Sequence, residues 1–127
     1  MMLSVTKIME FESAHCLENH KGKCKNLHGH SYKLEITIGL SLIGKNEGYF
    51  TGGMVIDFGD LKDIMKEMVD KHFDHQNIND WFDGPATAEN MILWIRGYMH
   101  LQLPESNKLL GIKLWETSTS YAEWRAE

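Results

Sequence analysis

Along residues 3–15 the apolar positions keep to one parity. Leu3, Val5, Met9 and Phe11 share it, with Lys7 as an interruption, and the count places Ser13 and His15 on the same face. Glu10 and Glu12 fall on the other face. Alternation of period two predicts a half-buried strand. The next segment, Glu18 to Asn26, is polar and irregular, carries Gly22 among Lys21, Lys23 and Lys25, and reads as a loop. From His28 the alternation returns more cleanly. His28, His30, Tyr32, Leu34, Ile36, Ile38 and Leu40 lie on one face, and Ser31, Lys33, Glu35 and Thr37 on the other. Two imidazoles thus continue an apolar face.

The stretch from Gly44 to Gly53, with four glycines, predicts a turn region. Met54-Val55-Ile56 reads as a short extended run. Asp57-Phe58-Gly59-Asp60 then has the acidic groups of a helix start, placed to accept from free backbone N–H groups. Leu61, Ile64, Met65, Met68, Val69 and His72 follow at helical spacing, the mark of a helix packed on a sheet. Pro85 precedes a second helix with Thr87 as its cap. Its apolar face is Met91, Ile92, Trp94, Ile95, Tyr98 and Met99, and it ends near Leu103-Pro104. In the next strand Leu110, Ile112 and Leu114 alternate with Leu109, Gly111, Lys113 and Trp115, and the first parity runs on to Glu116. A short last strand covers about residues 120–125. The order ββααββ predicts an α+β fold: a four-stranded antiparallel sheet with both helices on one face. Two open sheet edges need covering or pairing, which invites a ring-like oligomer.

Size and composition narrow this only a little. The 127 residues suit one domain, 1–127, with no repeat or linker, and 43% hydrophobic and 24% charged residues are those of a globular protein. A net charge of −5 offers no general reason for nucleic-acid or membrane binding. No apolar run approaches the roughly 20 residues that span a bilayer. The first residues lack the pattern of a signal peptide. Cys16 and Cys24, the two cysteines, are expected as free thiols in a soluble cytoplasmic protein.

Polar residues occupy apolar positions at three places: His15, the pair His28 and His30, and Glu116. His28 and His30 point the same way in a strand, and a third imidazole from His15 makes a set of three. Three protein ligands with an open position characterise catalytic zinc, and four close a structural site. Cys24, four residues before His28, could be that fourth ligand. A partly buried strand-end histidine is the plainer reading of His15 by itself. Asp74-His75 form a further constellation: such a histidine can take a proton from a thiol while the carboxylate fixes its tautomer, or the two can simply solvate a loop. His72 reads as a helix-end residue facing the C-terminal dipole, and His20 and His100 as surface positions. Cys16 reads as packed. Glu116 is either a strand end emerging into solvent or a buried carboxylate awaiting N–H donors, such as those of an aminopyrimidine ring.

Six pieces together resemble a known family: Phe11-Glu12-Ser13-Ala14-His15; Cys24-x3-His28-Gly29-His30-Ser31-Tyr32; Gly53-Met54-Val55-Ile56-Asp57-Phe58; Asp74-His75-x2-Ile78-Asn79; Pro85-x-Thr87-x-Glu89-Asn90; and Trp115-Glu116-Thr117. The same order is seen in the 6-pyruvoyl-tetrahydropterin synthases and their bacterial relatives, the 6-carboxy-tetrahydropterin synthases. The match runs nearly end to end. It departs at Ser13, where alanine is common, and at Phe73, where leucine usually precedes Asp-His.

The resemblance implies the tunnelling fold, a homohexamer of two stacked trimers with barrels closed by sheet pairing, and active sites between subunits. It implies one zinc per subunit on His15, His28 and His30, with Cys24 as general base, Asp74 and His75 as its relay and Glu116 as pterin anchor. The Leu27-His28-Gly29-His30-Ser31 wording, the Cys-x3-His spacing and the short chain are more similar to the carboxy-forming enzymes. Those convert 7,8-dihydroneopterin triphosphate to 6-carboxytetrahydropterin, acetaldehyde and triphosphate on the route to queuosine and other 7-deazapurines. The pyruvoyl-forming reaction keeps the same site and substrate. A zinc-stabilised interaction module without catalysis is the remaining alternative. No glycine-rich dinucleotide motif is present.

Overall fold

The computed structural model describes residues 1–42, 49–50 and 52–127, so most of the glycine-rich turn region lies outside the described residues. Strand β1 is Met2–His15, β2 is His28–Ser41, β3 is Gln76–Asn77, β4 is Lys108–Thr117 and β5 is Ser120–Arg125. Helix α1 is Phe58–His72 and α2 is Ala88–Gln102. Both helices begin as the sequence predicts. The Asp57 carboxylate accepts from the N–H groups of Gly59 and Asp60 at 2.6 and 3.3 Å, and the Thr87 hydroxyl oxygen accepts from the Asn90 N–H at 3.1 Å.

The sheet differs from the four-stranded antiparallel expectation. It has five strands in the order β3-β1-β2-β4-β5 and is mixed, because β3 runs parallel to β1 and pairs Gln76 and Asn77 with Ser13 and Ala14. Two polar residues are too few to show any alternation, so this strand has no sequence signature. It forms because the chain leaving α1 turns back along the end of β1. Within one chain the sheet is open, with β3 and β5 at its edges. Met54–Ile56 is not part of it; Ile56 is buried, and the Asn107 side-chain amide donates to the Val55 carbonyl at 2.7 Å.

The register of β1 and β2 runs from Met2 opposite Ser41 to His15 opposite His28. Tyr32, Leu34, Ile36 and Ile38 are fully buried on the face covered by both helices. Leu61, Met65 and Met68 of α1 and Met91, Ile95 and Met99 of α2 meet them. Burial of such side chains is the main favourable term, on the order of 1.5–3 kcal/mol each.

Two bulges mark β4. The first leaves Leu110 unpaired between Leu109 and Gly111, so Leu109 is buried and Leu110 only partly so, against the simple alternation. From Ile112 the expected parity holds. The second leaves Glu116 without a partner between Trp115 and Thr117. A bulge bends the strand and re-aims the side chain at its crest. Among the described residues, no helix is long and apolar enough to cross a membrane.

Candidate functional site

His15 ends β1 and His28 begins β2, and because the two are register partners their rings meet, with centroids 4.6 Å apart. His30 is two residues on, hence on the same face, and its ring lies 5.0 Å from that of His15 and 4.8 Å from that of His28. One ligand nitrogen from each ring falls within 4.8 Å of the others, so this group could hold a metal ion. The Cys24 thiol is not one of the gathered atoms.

Hydrogen bonds on the far side of two rings decide which nitrogen faces inward. His15 Nδ1 lies 2.8 Å from the Ala86 carbonyl and His28 Nδ1 lies 2.7 Å from the Asn26 carbonyl. A carbonyl only accepts, so each Nδ1 carries the proton and each Nε2 keeps a free lone pair. This arrangement orients metal-ligating imidazoles. The Nε2 atoms of His15, His28 and His30 are all buried without a hydrogen-bond partner. Three convergent, unpartnered ring nitrogens cost free energy unless something binds them, and a divalent cation suits neutral imidazoles. The residues therefore fit a metal.

Glu116 stands beside this group. Its Oε1 is 3.2 Å from His30 Nε2, within ion-pair reach but outside hydrogen-bond angles, so that nitrogen stays unpaired. Burial lowers the His30 pKa below its ordinary value; the Glu116 charge opposes this, and the two neighbouring histidines reinforce it. Beneath the rings Tyr32 is fully buried and its hydroxyl has no partner. Burial, aided by Glu116, raises its pKa and keeps the phenol neutral. A hollow of about 530 Å³ runs along Glu116 and Thr117, bordered by Glu89 and Tyr121.

Asp74 and His75 are not part of this cluster. They follow α1 and fasten to Glu12, whose parity on β1 is opposite to that of His15. Asp74 Oδ1 accepts from the Glu12 N–H at 3.0 Å, and the His75 N–H donates to the Glu12 carbonyl at 2.6 Å. The bond from Glu12 leads in holding the Asp74 pKa below the usual carboxylate value, helped by His75. Asp74 Oδ2 lies 2.9 Å from His75 Nδ1, and the His75 side chain is 79% exposed. An open groove of about 410 Å³ lies beside it, bordered by Glu12, Ser31 and Asn77. Cys24 sits in a single 3₁₀ turn, Lys23–Lys25, partly exposed, with its carbonyl accepting from the Leu17 N–H at 2.7 Å. Cys16, also a free thiol, is only partly buried.

Some supporting groups escape a reading of the sequence. The Ala86 and Asn26 carbonyls are main-chain atoms and leave no residue signature. Asn79 clamps the end of β1 by accepting from the Cys16 N–H at 2.7 Å and donating to the Cys16 carbonyl at 3.1 Å. Only its place in the Asp74-His75-x2-Ile78-Asn79 motif could have pointed to it.

Fold and site together define an α+β chain with three histidines grouped at the paired ends of its first two strands. The chain belongs to the 6-pyruvoyl tetrahydropterin synthase family, which matches residues 4–127. It is 35% identical to the 6-carboxy-5,6,7,8-tetrahydropterin synthase of Haemophilus influenzae, over 98% of this chain and 99% of that protein. The protein of the same name from Rickettsia felis is 43% identical, over 96% of this chain and 99% of its own length. The structure of Caenorhabditis elegans 6-pyruvoyl tetrahydropterin synthase superposes with a TM-score of 0.80 at 22% identity, over 100% of this chain and 97% of that one, a likeness of fold.

Proposed function

We propose that the chain is a zinc-dependent 6-carboxy-5,6,7,8-tetrahydropterin synthase. It converts 7,8-dihydroneopterin triphosphate to 6-carboxytetrahydropterin, acetaldehyde and triphosphate, a step toward queuosine and other 7-deazapurines, in the cytoplasm. The observation that carries this reading is the convergence of three unpartnered Nε2 atoms beside the Glu116 carboxylate, in a chain whose near full-length relatives bear that name.

His15, His28 and His30 would hold one zinc per subunit. Bound there, zinc supplies Lewis-acid stabilisation of negative charge that develops on the substrate's side-chain oxygens. Glu116 accepts two N–H bonds from the pyrimidine edge of the pterin and so fixes the ring. Cys24 removes a side-chain proton as thiolate, a form that nearby positive charge favours. His75 relays that proton, and Asp74 holds its Nδ1–H and the matching tautomer. Asp74 and His75 lie across β1 from the three histidines, which supports a site assembled between copies of the chain. A homohexamer of two trimers, with barrels closed by edge pairing, supplies such copies.

The test is incubation of the zinc-loaded protein with 7,8-dihydroneopterin triphosphate and measurement of acetaldehyde. Acetaldehyde at catalytic turnover supports the reading. A pyruvoyl product without acetaldehyde makes the chain a 6-pyruvoyl-tetrahydropterin synthase instead, and no turnover of any kind leaves a zinc-stabilised interaction module.

A further inference from the structure

Ser13 is a hydroxyl on the apolar parity of β1 and is only 5% exposed. Such a group is costly inside a protein unless its hydrogen bond is made. Its Oγ lies 2.7 Å from the Phe73 carbonyl oxygen and 3.1 Å from that of Gln76. With one proton to give, it donates to Phe73, and Gln76 is the alternative acceptor. Phe73 closes α1: its own N–H and that of Asp74 both donate to the Val69 carbonyl, at 2.9 and 2.7 Å. The Gln76 N–H reaches back to the Phe73 carbonyl at 3.2 Å. Residues 73–76 are therefore one tight turn, and the Ser13 hydroxyl lies within reach of the carbonyls at both of its ends, donating to one at a time.

Inside that turn His75 has a φ of 56°, among the described residues the one positive value outside glycine. A residue with a β-carbon keeps that conformation only where its surroundings enforce it. Glu12 holds the middle of the turn, by its carbonyl on the His75 N–H and its N–H on Asp74. Ser13 ties down the start of the turn through the Phe73 carbonyl, with the Gln76 carbonyl at its end as the alternative acceptor. The His75 ring projects into solvent and is met at 2.9 Å by the carboxylate of Asp74, itself part of the turn, so its aim follows the turn.

We infer that Ser13 is a positioning residue for the Asp74–His75 pair, fixing through the 73–76 turn the direction in which the His75 ring leaves the protein. The inference rests on the synthase reading, in which that ring relays the Cys24 proton. Removal of the hydroxyl lets the turn relax toward ordinary φ values and swings the ring away from its target.

Zinc-loaded Ser13→Ala, His75→Ala and the double variant, compared with the parent protein, test this. In Ser13→Ala, kcat is expected to fall by about fivefold to tenfold, the order of one lost hydrogen bond, with zinc content kept and KM within about twofold. In the His75→Ala background the same change should make no further difference, because no ring is left to aim. Hydrogen exchange at the His75 amide, which Glu12 protects, should quicken in Ser13→Ala. An equal fall of kcat in both backgrounds, or none in either, overturns the proposal, as does unchanged His75 exchange. A parent protein without turnover overturns the synthase reading and with it the catalytic consequence, whereas the exchange measurement judges the positioning itself, so the two failures are told apart.

Discussion

The Nε2 atom of His30 lies 3.2 Å from Oε1 of Glu116, a carboxylate on the inner parity of β4 that has no register partner in β5. The two side chains come from strands that are neighbours in the sheet although His30 and Glu116 are 86 positions apart in the chain, so a group bound to one is within reach of the other. If Glu116 anchors the pterin, Glu116→Ala should leave zinc content unchanged and weaken pterin binding by about 1.5–3 kcal/mol, roughly tenfold to a hundredfold. Calorimetric titration with a pterin and metal analysis check both halves. Unaltered affinity removes the anchoring role, and lost zinc makes Glu116 a ligand.

Cys24 stands outside the group of imidazoles that could hold metal. Cys24→Ala should therefore retain zinc while turnover falls by at least about a hundredfold, the usual minimum for loss of a general base. Parallel zinc and acetaldehyde measurements decide this. Zinc lost together with activity would point to a closed four-ligand site.

Chelation separates an enzyme from a metal-stabilised module. The buried cluster joining both helices to the sheet is built from apolar side chains, and of the three histidines only His15 is fully buried against it. The zinc-free protein should keep its helical circular dichroism and melt at a lower temperature, as for any ligand bound to the folded state alone. Complete unfolding on chelation would favour the module.

Asn79 makes two hydrogen bonds to the main chain of Cys16, next to His15. Asn79→Ala leaves a partly buried N–H and C=O without partners, so unfolding in urea should show a loss of about 1–3 kcal/mol. A midpoint equal to that of the parent would mean that water satisfies the strand end instead.

His72 does more than face a helix dipole. Its ring packs against Trp94 and Trp81, with centroids 4.8 and 5.3 Å away, and burial, then Lys71, lowers its pKa below the ordinary 6.5. The unfolded chain takes up a proton near 6.5 and the folded chain only at lower pH. Stability from this group is thus complete above 6.5 and is lost as pH falls from there through the folded value. His72→Phe should flatten the fall in stability between about pH 7 and 5, read as the difference from the parent in urea midpoints. Parallel pH curves would show that His72 titrates normally.

Local patterns were legible wherever one face of an element is buried and the other is wet. The parity of β1 and β2, the caps at Asp57 and Thr87, and the placing of His15, His28 and His30 on the inner face all follow from side-chain period and from the needs of free N–H groups. The same periodicity misplaced Leu110 and could not announce β3. A bulge changes the count without changing composition, and a two-residue strand has no period to read.

The sequence by itself determined the four longer strands, the two helices, the polar residues set on apolar faces and the ordered motifs of the family. Each of these is written in spacing along one chain. Tertiary structure alone decided that His15 lies opposite His28, that backbone carbonyls of Ala86 and Asn26 turn two Nε2 atoms inward, and that Glu116 comes within 3.2 Å of His30. It also decided that Ser13 ties down the turn carrying Asp74 and His75. These depend on register and on main-chain atoms far apart in sequence, and a residue's identity does not say which carbonyl it will meet.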